Sequence, residues 1–298
     1  MQRCLWLLVL ASFFVAVSSA HAQLIFSVEG NYLYPGNQDV VLGSDAGSII
    51  VPGVSGNDVL DAPPDFGFQA TVAGGNWRAS WRWFNTKSDF FTATGRADVA
   101  LNHPGINYGA YTTLNANGEI TLNVVDLDLL MPITTPGSAS VSLFGGLRYV
   151  GYENTLNANY DAGGQIVNRS SENQLFGIRG GVEFDYPIFI DNLSVKGGAA
   201  VSLMAGESKF NQTQSLGPIA LDLKQDVVSP GFEVDLALNY SLQLAHTGVN
   251  IWAGYEFMQF NNAVYNQNFV DDINDAAQVN DAINAGFHGV KFGASVEF

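Results

Sequence analysis

Asn76 to Asn85 reads NWRASWRWFN. Trp77, Ala79, Trp81 and Trp83 share one parity, and Arg78, Ser80 and Arg82 share the other. On a β-strand the two sets point to opposite faces of the sheet. A water-soluble sandwich would bury the tryptophans and expose the arginines, so the stretch asks which face of this sheet is wet.

Composition narrows the answer. The chain has 298 residues, of which 47% are hydrophobic, 12% aromatic and 13% charged, with 32 glycines. Soluble domains carry roughly 25% charged residues. Past the N-terminus no run reaches the roughly 18 apolar residues that a spanning helix requires. Residues 1–22 have the plan of an export signal: a basic start at Arg3, an apolar stretch from Cys4 to Val17 and a small-x-small site at Ala20-His21-Ala22. The mature chain is expected to be one domain, residues 23–298. Its single cysteine, Cys4, leaves with the signal, so neither a disulfide framework nor a thiolate metal site is expected.

Of 12 basic residues Arg3 is lost, leaving 11 against 28 acidic ones, a balance of −17. That balance disfavours nucleic acid, whose phosphates require clustered Lys and Arg. Many of the acids, such as Asp58, Asp61, Asp271 and Asp272, fall in segments with the character of solvated loops.

From Leu24 onward the chain alternates in ten segments of about nine to thirteen residues, the length of a tilted strand that crosses a bilayer. They are Leu24 to Tyr34, Phe66 to Ala73, Asn76 to Asn85, Glu119 to Met131, Ala139 to Tyr149, Asn173 to Phe184, Leu193 to Met204, Phe232 to Leu244, Val249 to Phe257 and Val290 to Phe298. In the fourth the alternation slips at Val124-Val125, which reads as a bulge. The connections after odd segments are long (Pro35 to Asp65, Thr86 to Gly118, Gly151 to Glu172, Ala205 to Val228, Met258 to Ala285), and those after even segments are short.

Short periplasmic turns, long external loops and an even number of antiparallel strands are the pattern of outer-membrane barrels. The expected fold is therefore all-β, a closed antiparallel transmembrane β-barrel of about 10 strands. Twelve is the alternative, should SIIVPGVSG (48–56) and INYGAYTTLNA (106–116) hide further strands. Trp77, Trp81, Trp83, Tyr240, Tyr255 and Phe257 then face lipid, and the wet face is the interior.

The interior parity nominates Arg78, Arg82, Asp126, Asp128, Arg148, Arg179, Glu183, Lys196, Glu233, Asp235 and Glu256 as pore-lining residues. Antiparallel pairing of the third and fourth strands puts Arg78 at the height of Asp126 and Asp128, where an ion-pair cluster is expected. Such a cluster either constricts a pore and tunes ion choice, or fills a plugged barrel.

The stretches VVDLDLLMPI (124–133), VSLFGGLRYVGYEN (141–154), NQLFGIRGGVEFDYPI (173–188), SVKGGAAVSLMAGESK (194–209), GVNIWAGYEF (248–257) and GFHGVKFGASVEF (286–298) resemble, in order, the Legionella-type major outer-membrane protein family. The resemblance covers roughly Glu119 to Phe298 and implies a pore-forming outer-membrane barrel. The terminal pattern Phe292, Ala294, Val296 and Phe298 resembles the strand signal read by the barrel-assembly machinery.

The function expected from sequence is passive diffusion of small solutes or ions through a narrow lumen. The alternatives are a plugged surface barrel whose external loops bind partners and, more remotely, a barrel hydrolase. The histidines His103, His246 and His288 lack a spaced nucleophile or acid that would demand catalysis, so no enzyme is expected. VDDINDAAQVNDAIN (270–284) lacks the glycine and closing glutamate of an EF-hand, and DAGGQIVN (161–168) lacks the lysine of a phosphate loop. No metal or cofactor is expected. The partners are outer-membrane lipid and lipopolysaccharide, with homo-oligomerisation left open.

Overall fold

The computed structural model describes residues 24–298 except 37–39, 45–56, 61, 93–94, 97–109, 112–113, 134–138, 161–164, 189, 216–218, 245–246 and 273–274. The strands are β1 (Leu24–Gly36), β2 (Val40–Ser44), β3 (Asn57–Leu60), β4 (Asp65–Gly74), β5 (Trp77–Thr92), β6 (Gly95–Arg96), β7 (Ala110–Tyr111), β8 (Leu114–Ile133), β9 (Ser140–Tyr160), β10 (Gln165–Pro187), β11 (Leu193–Gln214), β12 (Ile219–Leu244), β13 (Thr247–Asp272) and β14 (Asp275–Glu297). Ten of them close a barrel in the order β1-β14-β13-β12-β11-β10-β9-β8-β5-β4, each antiparallel to its neighbours. The first and last strands pair from Ile25↔Glu297 to Gly36↔Gly286, and the Phe298 amide donates to the Leu24 carbonyl at 3.1 Å. Closure leaves no open edge, which a bilayer requires of a sheet.

The barrel has ten strands and not twelve. The segments 35–65 and 86–118 do contain extra strands, but these form a separate four-stranded sheet, β3-β2-β6-β7. Register explains their exclusion: β5 and β8 pair all the way to Thr92↔Leu114, so no hydrogen-bonding edge remains for another pair. SIIVPGVSG lies outside the described residues.

The tight turn at Gly75-Asn76 links β4 to β5, with Gly75 at φ +59°. A left-handed first turn residue suits a two-residue hairpin and favours glycine there. Asn192, at φ 65°, is the third residue of the turn closed by the Leu193 amide on the Ile190 carbonyl at 3.1 Å, just before β11.

Three connections expected to be long loops are instead strand. β9 and β10 continue to Tyr160↔Gln165, β11 and β12 to Gln214↔Ile219, and β13 and β14 to Asp272↔Asp275. The acidic stretch 270–284 thus sits mostly in a hairpin, with its side chains up to Ile283 outside the described residues, and residues 161–164 of DAGGQIVN are likewise outside them.

The bulge expected at Val124-Val125 is absent, because β8 keeps one register with both neighbours through that point. The sequence pattern slips there because Ile120, Leu122 and Val124 are apolar residues pointing inward, all of them buried. A real irregularity lies on β13, where Phe260 pairs with Ala285 and Val264 with Ile283, so Asn261, Asn262 and Ala263 oppose Asn284 alone. Asn262 adopts φ 55°, and its amide donates to Asn284 Oδ1 at 3.1 Å. The two extra residues bring Ala263 into the apolar cluster, 1% exposed.

Candidate functional site

The lumen is built in layers, starting at the end that carries the short turns. At the mouth, short polar side chains of neighbouring strands link up: Asn239 donates to Ser194 at 3.1 Å, Ser241 to Asn250 at 2.7 Å and Asn250 to Ser295 at 3.3 Å.

Above this lies the charged layer. Arg78 faces Asp128 in register and bonds to it at 3.1 Å, reaching Glu183 at 2.6 Å. Arg148 holds Asp126 at 2.6 Å and also contacts Glu233. Arg179 bonds Asp126 and reaches Glu233 at 3.3 Å and Asp128 at 3.6 Å. Across the lumen Arg82 bonds Glu256 at 2.9 Å and Gln69 at 2.9 Å. Lys291 meets Asp235 at 2.9 Å and Glu29 at 3.7 Å. Phe144 projects between two guanidiniums, 5.1 Å from Arg78 and 4.9 Å from Arg179, so its ring face meets positive charge on the way in. The side chains of Asp128 and Arg148 are only 0% and 3% exposed. Buried charges of this kind persist only when paired and hydrogen-bonded.

All eleven residues nominated from the parity point inward. Lys196 stands somewhat apart, pairing with Asp185 at 3.6 Å and lying 5.9 Å from the Trp252 ring. Glu29, Asn31, Gln69, Trp252 and Lys291 belong to the same constellation but were not nominated. Glu29 accepts from Trp252 Nε1 at 2.8 Å and from Asn31 at 3.2 Å, and Asn31 also donates to Glu256. The alternation that placed Glu256 inward also places Trp252 and Lys291 there, so the signal was present and unused. A cavity of about 400 Å³ lies among these groups.

A dry layer roofs the cavity. Leu33, Phe84, Leu122, Tyr152, Leu175, Met204, Met258, Phe260 and Phe287 are buried side chains of one apolar cluster, completed by Ile120, Val124, Val150, Val227, Ala263 and Ala285. Every barrel strand contributes except β4, where the inward position facing Phe84 is Gly67. A Cβ there would lie 3.2 Å from that of Phe84, so the missing side chain leaves the space the ring uses. The two layers touch, with Arg82 Nη1 3.3 Å from Met258 Sδ and Arg148 6.0 Å from the Phe260 ring.

The outer surface changes at this same level. Outward neighbours of the plug residues are apolar on the short-turn side and polar on the other: Trp83 and Asn85 about Phe84, Phe176 and Gln174 about Leu175, Val228 and Asp226 about Val227. Below the change the outward face carries Trp81, Leu129, Ile178, Leu236 and Tyr240, all exposed, with Trp77, Trp83 and Phe257 more covered by neighbouring rings and chains. Above it stand Glu153, Asn157, Asn168, Glu172, Glu207 and Asn211. Apolar outside and charged inside is the arrangement of a protein surrounded by lipid over this height.

The outward face also holds His288, stacked on Tyr34 at 5.6 Å, with its Nδ1 2.6 Å from the Tyr255 hydroxyl. Phe292 and Phe298 are exposed there, and Phe298 meets Phe26 edge-on at 6.4 Å. His103 and His246 lie outside the described residues.

Residues 61–298 match the family described as Legionella pneumophila major outer membrane protein precursor. The chain belongs to this family. The match begins well before Glu119, where the sequence resemblance started, and takes in the NWRASWRWFN strand. Family membership and the apolar outer band together make this an outer-membrane β-barrel, with the short turns on the periplasmic side and the long hairpins outside.

No curated protein matches the chain. Among solved structures, the outer membrane protease OmpT from Escherichia coli is 9% identical, with a TM-score of 0.52 over 94% of this chain and 99% of that one. That likeness is one of fold. A major outer membrane protein from Thermus thermophilus is 14% identical over 94% of this chain and 100% of that one, with a TM-score of 0.34.

Proposed function

We propose that the protein is an envelope barrel whose lumen is closed at rest, serving as a scaffold that carries long hairpins outside the membrane. The dry layer drawn from every barrel strand except β4 carries this reading. A predominantly apolar constriction expels water and so blocks ions, and ten strands leave little room beyond what side chains fill. The reading is non-catalytic, since His288 faces outward between two tyrosines rather than towards the lumen.

A second reading keeps passive diffusion, with the dry layer acting as a gate. The charged cavity on its periplasmic side favours it, because a plug alone requires no vestibule bearing both signs of charge.

Planar-bilayer recording on the refolded chain from Gln23, in a salt gradient, separates the two. The closed-lumen reading expects no steady steps from the parent and new conductance from a Phe84→Ala/Leu122→Ala pair. Reproducible steps from the parent would instead establish the pore, and its reversal potential would give the ion preference.

A further inference from the structure

The inward-facing cations of the barrel are treated unequally. Arg78, Arg82, Arg148, Arg179, Lys196 and Lys291 each have a carboxylate within 4 Å. Arg169, above the dry layer on β10, has none among the described residues. Its guanidinium lies 4.9 Å over the Phe210 ring, and its Cα partners are Gln212 on β11 and Leu156 on β9.

Further down the same wall the next inward pairs are Ser171↔Phe210 and Asn173↔Ser208. Asn173 and Ser208 are fully buried, and Asn173 Oδ1 and Ser208 Oγ have no hydrogen-bond partner. Unmet polar atoms in a buried wall are costly, and a buried cation without a counter-charge is more so. Burial pushes the Arg169 guanidinium down to about 10, with no carboxylate opposing the shift. Arg169 itself keeps part of its side chain exposed, unlike Phe210, Gln212, Asn173 and Ser208.

We propose that this inward wall above the apolar layer, with Arg169 over Phe210 and Gln212 beside it, binds a small anion bearing a carboxylate or phosphate group. The planar fork of arginine matches either anion with paired N–H donors. Phe210 fixes the plane of the fork from behind, leaving its edge for the ligand. The site stands whether or not the dry layer opens.

The test is thermal unfolding of the refolded chain from Gln23 in detergent, followed by circular dichroism at constant ionic strength, with sodium chloride, sodium phosphate or sodium gluconate. A ligand held only by the folded state raises the midpoint with concentration. The parent is expected to melt higher in phosphate, gluconate or both than in chloride, and Arg169→Gln to show no such rise. A rise with phosphate alone assigns a phosphoryl group, with gluconate alone a hydroxylated carboxylate, and with both a site that reads charge.

In chloride, Arg169→Gln is expected to melt above the parent, because a partly buried cation with no carboxylate beside it among the described residues is gone. No anion effect on the parent, or the same effect in Arg169→Gln, overturns the proposal. Should Arg169→Gln fail to fold, Arg169→Lys keeps the charge and loses the fork. Its anion affinity is expected to fall about tenfold or more, and undiminished affinity would again reject the site.

Discussion

Asp126 shows what a single side chain carries in this lumen. It accepts from both Arg148 and Arg179 while almost fully buried, so removing it takes a carboxylate from two cations at once and leaves them to share Glu233, with Asp128 3.6 Å from Arg179. Breaking a buried pair in this way costs about 3–5 kcal/mol, mostly from the charge left behind. Asp126→Ala is therefore expected to lose about that much stability in urea unfolding. Adding Arg148→Met should restore part of the loss, since one of the two cations left sharing Glu233 goes with it. Phe84 works through volume instead. It is fully buried in the dry layer and meets Phe287 edge-on at 5.6 Å, so Phe84→Ala is expected to cost about 3–5 kcal/mol. A loss under 1 kcal/mol in the same unfolding measurement would show that the layer is loosely packed.

Among the elements, β8 to β14 are far longer than a membrane demands. β12 and β13 have 26 residues each, about 85 Å of extended chain at roughly 3.3 Å per residue, whereas about 9–11 residues cross a bilayer. The external halves were read from sequence as loops for a physical reason. In GYENTLNANY (151–160) and QIVNRSSENQ (165–174) the outward positions meet water and many inward ones are Ser, Asn or Arg, so the contrast between faces fades. Glu207 and Asp226 are paired in register. Replacing residues 208–225 by a two-residue turn is expected to leave membrane insertion intact, checked by protease protection of the embedded part. Loss of insertion would mean that the external hairpin is needed to form the barrel.

Glycine marks a different constraint. A Cβ on Gly177 would sit 2.0 Å from the Leu203 carbonyl oxygen of the neighbouring strand. Gly177→Ala is expected to lower stability by about 1–3 kcal/mol, and unchanged urea unfolding would show that the strands can separate there.

For the molecule as a whole, orientation is the quantity to test. Trp77, Trp81 and Trp83 lie on the outward parity, while Trp252 points inward and bonds Glu29. In vesicles of brominated lipid the parent fluorescence is expected to be strongly quenched. A variant with the three outward tryptophans changed to phenylalanine should be nearly unaffected. Equal quenching of both would invert the assignment of faces. By itself the sequence determined the alternating faces of most strand side chains and the height match of Arg78 with Asp128, because alternation and antiparallel register are local properties of the backbone, whereas the choice of ten strands over twelve came from the pairing of β5 with β8. Only the tertiary structure decided that Arg82 meets Glu256 from 174 residues away, that apolar residues of distant strands meet in one dry layer, and that Arg169 has no acid beside it among the described residues. Those contacts cross the lumen, and what lies across a lumen depends on how the sheet closes, which no stretch of a single strand contains.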